Sequence, residues 1–264
     1  MTIYISYVSK EESEKNRNFY TRAASNAWLS LVEATKSLWT GDEDTKNYKR
    51  CNTEIIKKNS IHSVGNDQDI VTHFNRQIRK TRLDALVVVY DEEDRSYTLK
   101  NCVFIYGKRD GMIRNESELA WEIAHELCHA YGAGHSYEGV MSRPYAVDEE
   151  FFLDTNAALA LQLTAFYHPE ESLELYSDYL TDVGMKWAEN GSILKLKFNC
   201  PRSGPRLIFL LDPKDSYEDV FNYPENGIGS TWTLELRKEA VSRLVVIFHD
   251  RHRENISLSS FVHK

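Results

Sequence analysis

Apolar positions along this chain repeat with two different periods, and the change of period sets out the architecture. The opening "TIYISYVS" alternates β-branched and aromatic residues with polar ones and predicts a strand. From about Ser13 to Trp39 the spacing becomes helical, with Phe19, Ala23, Ala27, Leu31 and Ala34 on one stripe, and "TGDED" ends it. A strand near Tyr48 to Ile56 follows, then a second helix over Asp67 to Lys80 with Ile70, Phe74 and Ile78 at helical spacing. "LDALVVVY" is a short apolar run that predicts a buried strand ending at Tyr90. "DEEDRSY" then reads as the turn and "NCVFIYG" as the returning strand, with an edge position expected for the latter.

Asn115 followed by Glu118 matches a capping box and starts a further helix, whose apolar side is Leu119, Ala120, Ile123, Ala124 and Leu127. Gly132 and Gly134 stop it. A helix from about Asp154 to Tyr167 is dense in Ala and Leu and is expected to be buried. After about Asn190 the pattern turns to short strands: "SILKLKF", "PRLIFLLD", "STWTLELR", "SRLVVIFHD" and "NISLSS", separated by Gly, Pro, Asp and Asn. The expected organisation is α+β. A domain over residues 1–190, with a twisted mixed sheet plus helices, precedes a small antiparallel β-sandwich over residues 191–264.

Composition narrows the field. A length of 264 residues with 42% hydrophobic and 12% aromatic content is globular. The net charge of −8 argues against a nucleic-acid partner. The basic run "RQIRKTR" reads as a solvated helix face. No apolar run approaches the roughly 18 residues of a membrane span, and no export signal is visible, so no membrane partner and a cytoplasmic location are expected. Cys51, Cys102, Cys128 and Cys200 are scattered without a CxxC pair and read as free thiols. Asn115, Asn190 and Asn255 head Asn-x-Ser tripeptides, which arise often by chance.

The chemistry concentrates in "WEIAHELCHAYGAGHSYEGVM", Trp121 to Met141. His125 and His129 are four apart and therefore share one helix face, where two imidazoles can meet one cation. Zinc accepts such nitrogen ligands, and a catalytic site uses three protein ligands plus water. Glu126 is placed to reach a water there without ligating the metal. Gly132 can take positive φ and turn the chain, which could return His135 as third ligand. The whole string is HExxHxxGxxH, and a random match in a chain of this composition is on the order of a few in a hundred thousand. Cys128, inside the motif, reads as a core cysteine, and His249 and His252 of "HDRH" read as solvent histidines at a strand end.

This string with Met141 after it resembles the metzincin clan of zinc peptidases, in which a tight turn places a methionine beneath the zinc. Many metzincins carry a tyrosine two residues beyond that methionine. Here that position is Arg143, and the tyrosine is Tyr145. "HSYEGVMSRPY", "ALALQLTAFYHPE" and the closing β-rich segment also resemble a group of zinc metallopeptidases of fungi and other eukaryotes, defined chiefly by sequence. The resemblance implies a metzincin-like catalytic domain with zinc on its active-site helix. His125, His129 and His135 would bind Zn2+, Glu126 would act as general base, and Tyr145 would stabilise an oxyanion. The substrate would be a peptide or protein. Two alternatives stay open at this point. One is a non-catalytic binding protein with a structural metal site and a β interaction module. The other takes the third ligand from Glu149, Glu150, Glu170 or Glu171, as in thermolysin-like enzymes. Oligomeric state is not legible in the sequence.

Overall fold

The computed structural model describes residues 2–8, 14–37, 52–55, 65–80, 84–142, 151–166, 179–187, 193–237, 241–250 and 252–258. By contacts, the chain divides into two compact units: Met1–Ala133 with Tyr137–Glu174, and Gly134–Ser136 with Leu175–Lys264. Mixed α and β structure with several sheets agrees with the α+β expectation. Among the described residues no helix is long and apolar enough to cross a membrane.

The first unit contains strands β1 (Thr2–Val8), β2 (Asn52–Ile55), β3 (Ala85–Tyr90), β4 (Tyr97–Leu99) and β5 (Cys102–Tyr106), and a small ribbon of β6 (Lys108–Arg109) and β7 (Met112–Ile113). Its helices are α1 (Glu14–Ser37), α2 (Asp67–His73), α3 (Glu116–Ala130) and α4 (Thr155–Leu161). A π-helical turn extends α2 over Phe74–Ile78, and another extends α4 over Gln162–Phe166. The five-stranded sheet has the order β2-β1-β3-β5-β4, and every pairing is parallel except β4 with β5. On one sheet face Tyr4, Leu86, Val88, Cys102 and Phe104 share a core with Ile70, Val71 and Phe74 of α2 and its extension. α3 packs against β5 and β4, and α1 packs against α3. Strands covered on both faces need apolar residues at nearly every position, which is why "ALVVV" and "CVFI" are continuous runs. Small residues on α1 (Ala23, Ala24, Ala27) are fully buried and let α3 come close, with the Trp28 ring tilted against Tyr131, centroids 6.1 Å apart.

The predicted hairpin between β3 and β5 is not what forms. β3 and β5 run parallel, and the hairpin is β4–β5, turning at Lys100 and Asn101. β5 is therefore an interior strand, and β4 is the edge. Three residues are too few to show a period, so the sequence "YTL" merged with the turn.

In the second unit the pairings among the described strands are antiparallel. β9 (Ile193–Asn199) lies between β8 (Thr181–Trp187) and β12 (Thr231–Arg237). The second sheet has the order β11-β10-β13-β14, with β10 over Pro205–Leu211, β11 over Tyr217–Asn222, β13 over Arg243–Phe248 and β14 over Arg253–Ser257. Both sheets contribute to one hydrophobic cluster: Leu194, Leu196, Phe198, Leu234 and Leu236 from one, Ile208, Leu210, Leu244, Val246 and Phe248 from the other. Lys195 and Lys197 alternate with the buried positions and face outward, and Lys195 meets the cross-strand Glu235 at 2.8 Å. This is a two-sheet sandwich core. Two of its edge strands carry no clear sequence pattern. β8 contains Gly184 and a register shift, with Asp182 at φ +54°, and β11 is largely exposed and acidic. β8 precedes the boundary expected near Asn190, and it pairs with β9.

Candidate metal centre

Helix α3 begins as its sequence requires. The Asn115 side chain accepts from the Glu118 backbone N–H, and the Glu118 carboxylate accepts from the Asn115 N–H. It ends in a Schellman arrangement. Gly132 sits at φ +99°, its N–H bonds the His129 carbonyl, and the Ala133 N–H reaches back to the Cys128 carbonyl. That stop has a chemical consequence, because it leaves the Ala133 carbonyl 2.8 Å from Nδ1 of His129.

The other two histidines are held the same way. His125 Nδ1 lies 2.6 Å from the Val140 carbonyl, which belongs to the short helical turn Gly139–Met141. Met141 closes that turn and is fully buried. His135 Nδ1 lies 2.5 Å from the Lys214 carbonyl, and the His135 backbone N–H bonds the Asp215 carbonyl at 2.6 Å. Gly134 does not stop the helix, as the sequence suggested. It allows close approach, since a Cβ there would lie 2.6 Å from Leu211 Cδ2 and 2.7 Å from the Asp215 carbonyl oxygen.

One ring nitrogen from each of His125, His129 and His135 lies within 4.8 Å of the others, and all three residues are buried. A carbonyl can only accept, so Nδ1 is the donor in each ring and Nε2 carries the lone pair. The Nε2 atoms of His125 and His129 are 3.2 Å apart. Two lone pairs so close repel unless a proton or a cation intervenes. Three neutral imidazoles, each oriented through Nδ1 by a backbone carbonyl, are the donor set and outer-shell arrangement that zinc accepts. The residues therefore fit a metal ion.

Glu126 is buried, 3% exposed, one residue from His125. Its carboxylate oxygen Oε2 is 2.8 Å from the Thr98 hydroxyl, which is also 2.8 Å from the Glu126 carbonyl. Toward its N-terminal end α3 carries a second buried polar feature, the ion pair of Arg114 with Glu122, which sequence reading missed. Cys128 remains a core thiol. It is fully buried, and burial, with Asp154 and Glu126 nearby, pushes its pKa well up and so disfavours the thiolate a metal would need. Cys102 and Cys200 are likewise buried and free, each with its pKa pushed up to about 12 by burial. His249 and His252 form no metal cluster among the described residues. His249 Nε2 meets the Tyr223 carbonyl at 3.0 Å, and His252 stacks on Tyr179 and meets Glu254 at 2.6 Å. His252 is buried rather than solvent-facing, against expectation. Tyr145, with Arg143, Glu149, Glu150, Glu170 and Glu171, lies outside the described residues.

No family model matches the chain, and no curated protein matches it significantly, so the metzincin and fungal-group resemblance gains no support from families. A solved structure shares the fold. Catalytically inactive OgpA from Akkermansia muciniphila, in complex with an O-glycopeptide (glycodrosocin) substrate, superposes with a TM-score of 0.51 at 13% identity. That alignment covers 97% of this chain and 90% of the other. Wild-type OgpA in two crystal forms gives TM-scores of 0.45 and 0.46, also at 13% identity, over 97% of this chain and 92% and 90% of the other.

Proposed function

We propose that this protein is a zinc-dependent endopeptidase, with His125, His129 and His135 holding the ion and Glu126 handling protons. One observation carries the reading: three buried imidazoles converge, each with Nδ1 on a backbone carbonyl, while a buried carboxylate follows the first of them. A zinc ion bound there supplies Lewis acidity, polarising a scissile carbonyl and bringing the pKa of a water toward about 7. Glu126 would accept a proton from the attacking water as its oxygen adds to the carbonyl carbon, and would return that proton to the nitrogen as the C–N bond breaks. A structural metal site needs no such carboxylate, which sets the non-catalytic alternative second. The first unit is read as a metzincin-like catalytic domain, with Met141 in the Met-turn and Tyr145 as the oxyanion-stabilising group. The substrate is a peptide or protein, and an extended chain would add along the edge of β4. The fold shared with OgpA supports peptide-bond hydrolysis and makes O-glycosylated peptides a natural second probe.

The test compares wild type with Glu126→Gln on a mixed-sequence peptide pool and on an O-glycosylated pool, with metal content measured in parallel. The variant keeps its metal and its fold while hydrolysis falls at least about a hundredfold. Activity close to wild type in Glu126→Gln removes the mechanism. Metal bound by the wild type with no hydrolysis of either pool favours the binding-protein reading.

A further inference from the structure

Strand β4 has only three residues and lies at a sheet edge, yet each of its side chains is committed. Tyr97 points to the α2 side, where its hydroxyl bonds the Asp67 carboxylate at the start of α2 and its ring stacks on Phe104 at 5.0 Å. Tyr90 bonds the same carboxylate at 2.5 Å, so two phenols converge on Asp67. Leu99 packs against the core that α2 shares with the sheet. Thr98, between them, projects to the opposite face because side chains alternate along a strand. There its hydroxyl meets Oε2 of Glu126 at 2.8 Å, across 28 residues of sequence.

We infer that Thr98 is a positioning residue for Glu126, and that the Asp67–Tyr97 latch holds the edge strand that presents it. The inference rests on the reading of Glu126 as the proton-transferring group. A threonine hydroxyl has one proton and here meets two acceptors at 2.8 Å, the Glu126 carbonyl and its carboxylate; the charged carboxylate takes it, in a bond about twice as strong as a neutral one. The β-branched side chain is stiff at χ1, so the donor stays where the strand puts it. One carboxylate oxygen held by a fixed donor fixes the rotation of the carboxylate plane. Proton transfer depends on that geometry, and substrate binding does not. Thr98 bonds Glu126 and so acts through the glutamate.

The experiment compares Thr98→Val, which keeps the shape and removes the hydroxyl, with Thr98→Ser, which keeps the hydroxyl. On a mixed peptide pool, kcat of Thr98→Val falls by about ten- to a hundredfold, the scale of a hydrogen bond to a charged group, with KM and metal content unchanged. Thr98→Ser recovers most of the loss. Wild-type kcat in Thr98→Val, while Glu126→Gln is inactive, overturns the positioning role alone. An equal loss in Thr98→Ser and Thr98→Val also overturns it, because then the hydroxyl is not what matters. Wild-type kcat in Glu126→Gln overturns the underlying reading instead. A second measurement needs no substrate: a double-mutant cycle of Thr98→Val with Glu126→Ala in chemical unfolding. The penalty of Thr98→Val in the unfolding equilibrium is about fivefold or more larger in the wild-type background than in the Glu126→Ala background. Equal penalties in the two backgrounds exclude the contact and the inference with it.

Discussion

Helix α3 and the two-sheet sandwich of the second unit bury their residues by opposite means. The sandwich cluster is built of Leu, Ile, Val and Phe at alternating positions, with Tyr179 and Cys200 at its margin, and its stability is a matter of shape and apolar area. α3 instead buries Glu122, His125, Glu126 and His129 within one helix of 15 residues. Each of these carries a large desolvation cost unless a partner is supplied. The partners are in place: Arg114 for Glu122, Thr98 for Glu126, and the Val140 and Ala133 carbonyls for the two histidines. α3 therefore depends on specific partners for its buried polar groups, whereas the sandwich cluster depends on apolar packing. The same contrast predicts how each region answers substitution.

The largest expected effect is in α3. Arg114→Met leaves the Glu122 carboxylate buried without its cation and destabilises the protein by about 3–5 kcal/mol, measured by chemical unfolding. The double variant Arg114→Met with Glu122→Leu recovers most of that loss, because replacing both members of a buried pair by apolar groups is often neutral. A single-variant loss below about 1 kcal/mol would erase the distinction between the two regions. The smaller effect is in the sandwich. Leu196→Met conserves volume in an apolar cluster and costs less than about 1.5 kcal/mol in the same assay. A cost equal to that of Arg114→Met would show that the sandwich is as specific in its partners as α3.

Legibility in the sequence follows the same division between local and distant determinants. The start and stop of α3 were readable because both are local: Asn115 and Glu118 at one end, Gly132 at the other. The convergence of the three histidines was readable because spacing along a helix and its return is itself a sequence pattern. The groups that orient them were not. Two are the Val140 and Lys214 carbonyls, and backbone carbonyls have no side-chain signature. The Thr98 contact depends on an edge strand of three residues that no period reveals. The parallel arrangement of β3 and β5 was hidden by the same strand. In the second unit the strands β9, β10, β12 and β13 announced themselves by alternation or by continuous apolar runs, although β12 is an edge. The strands β8 and β11 did not, since β8 holds Gly184 and a register shift and β11 is acidic, irregularities that an edge tolerates.

The central claim, that three histidines form one metal centre, has a direct measurement: the metal content of the purified protein, compared among wild type, His125→Ala, His129→Ala and His135→Ala after removal of loosely bound ions. The account predicts about one zinc ion per wild-type chain and loss of that ion in each of the three variants, His135→Ala included. A wild type that holds no metal, or a His135→Ala variant that keeps a full complement, would contradict it.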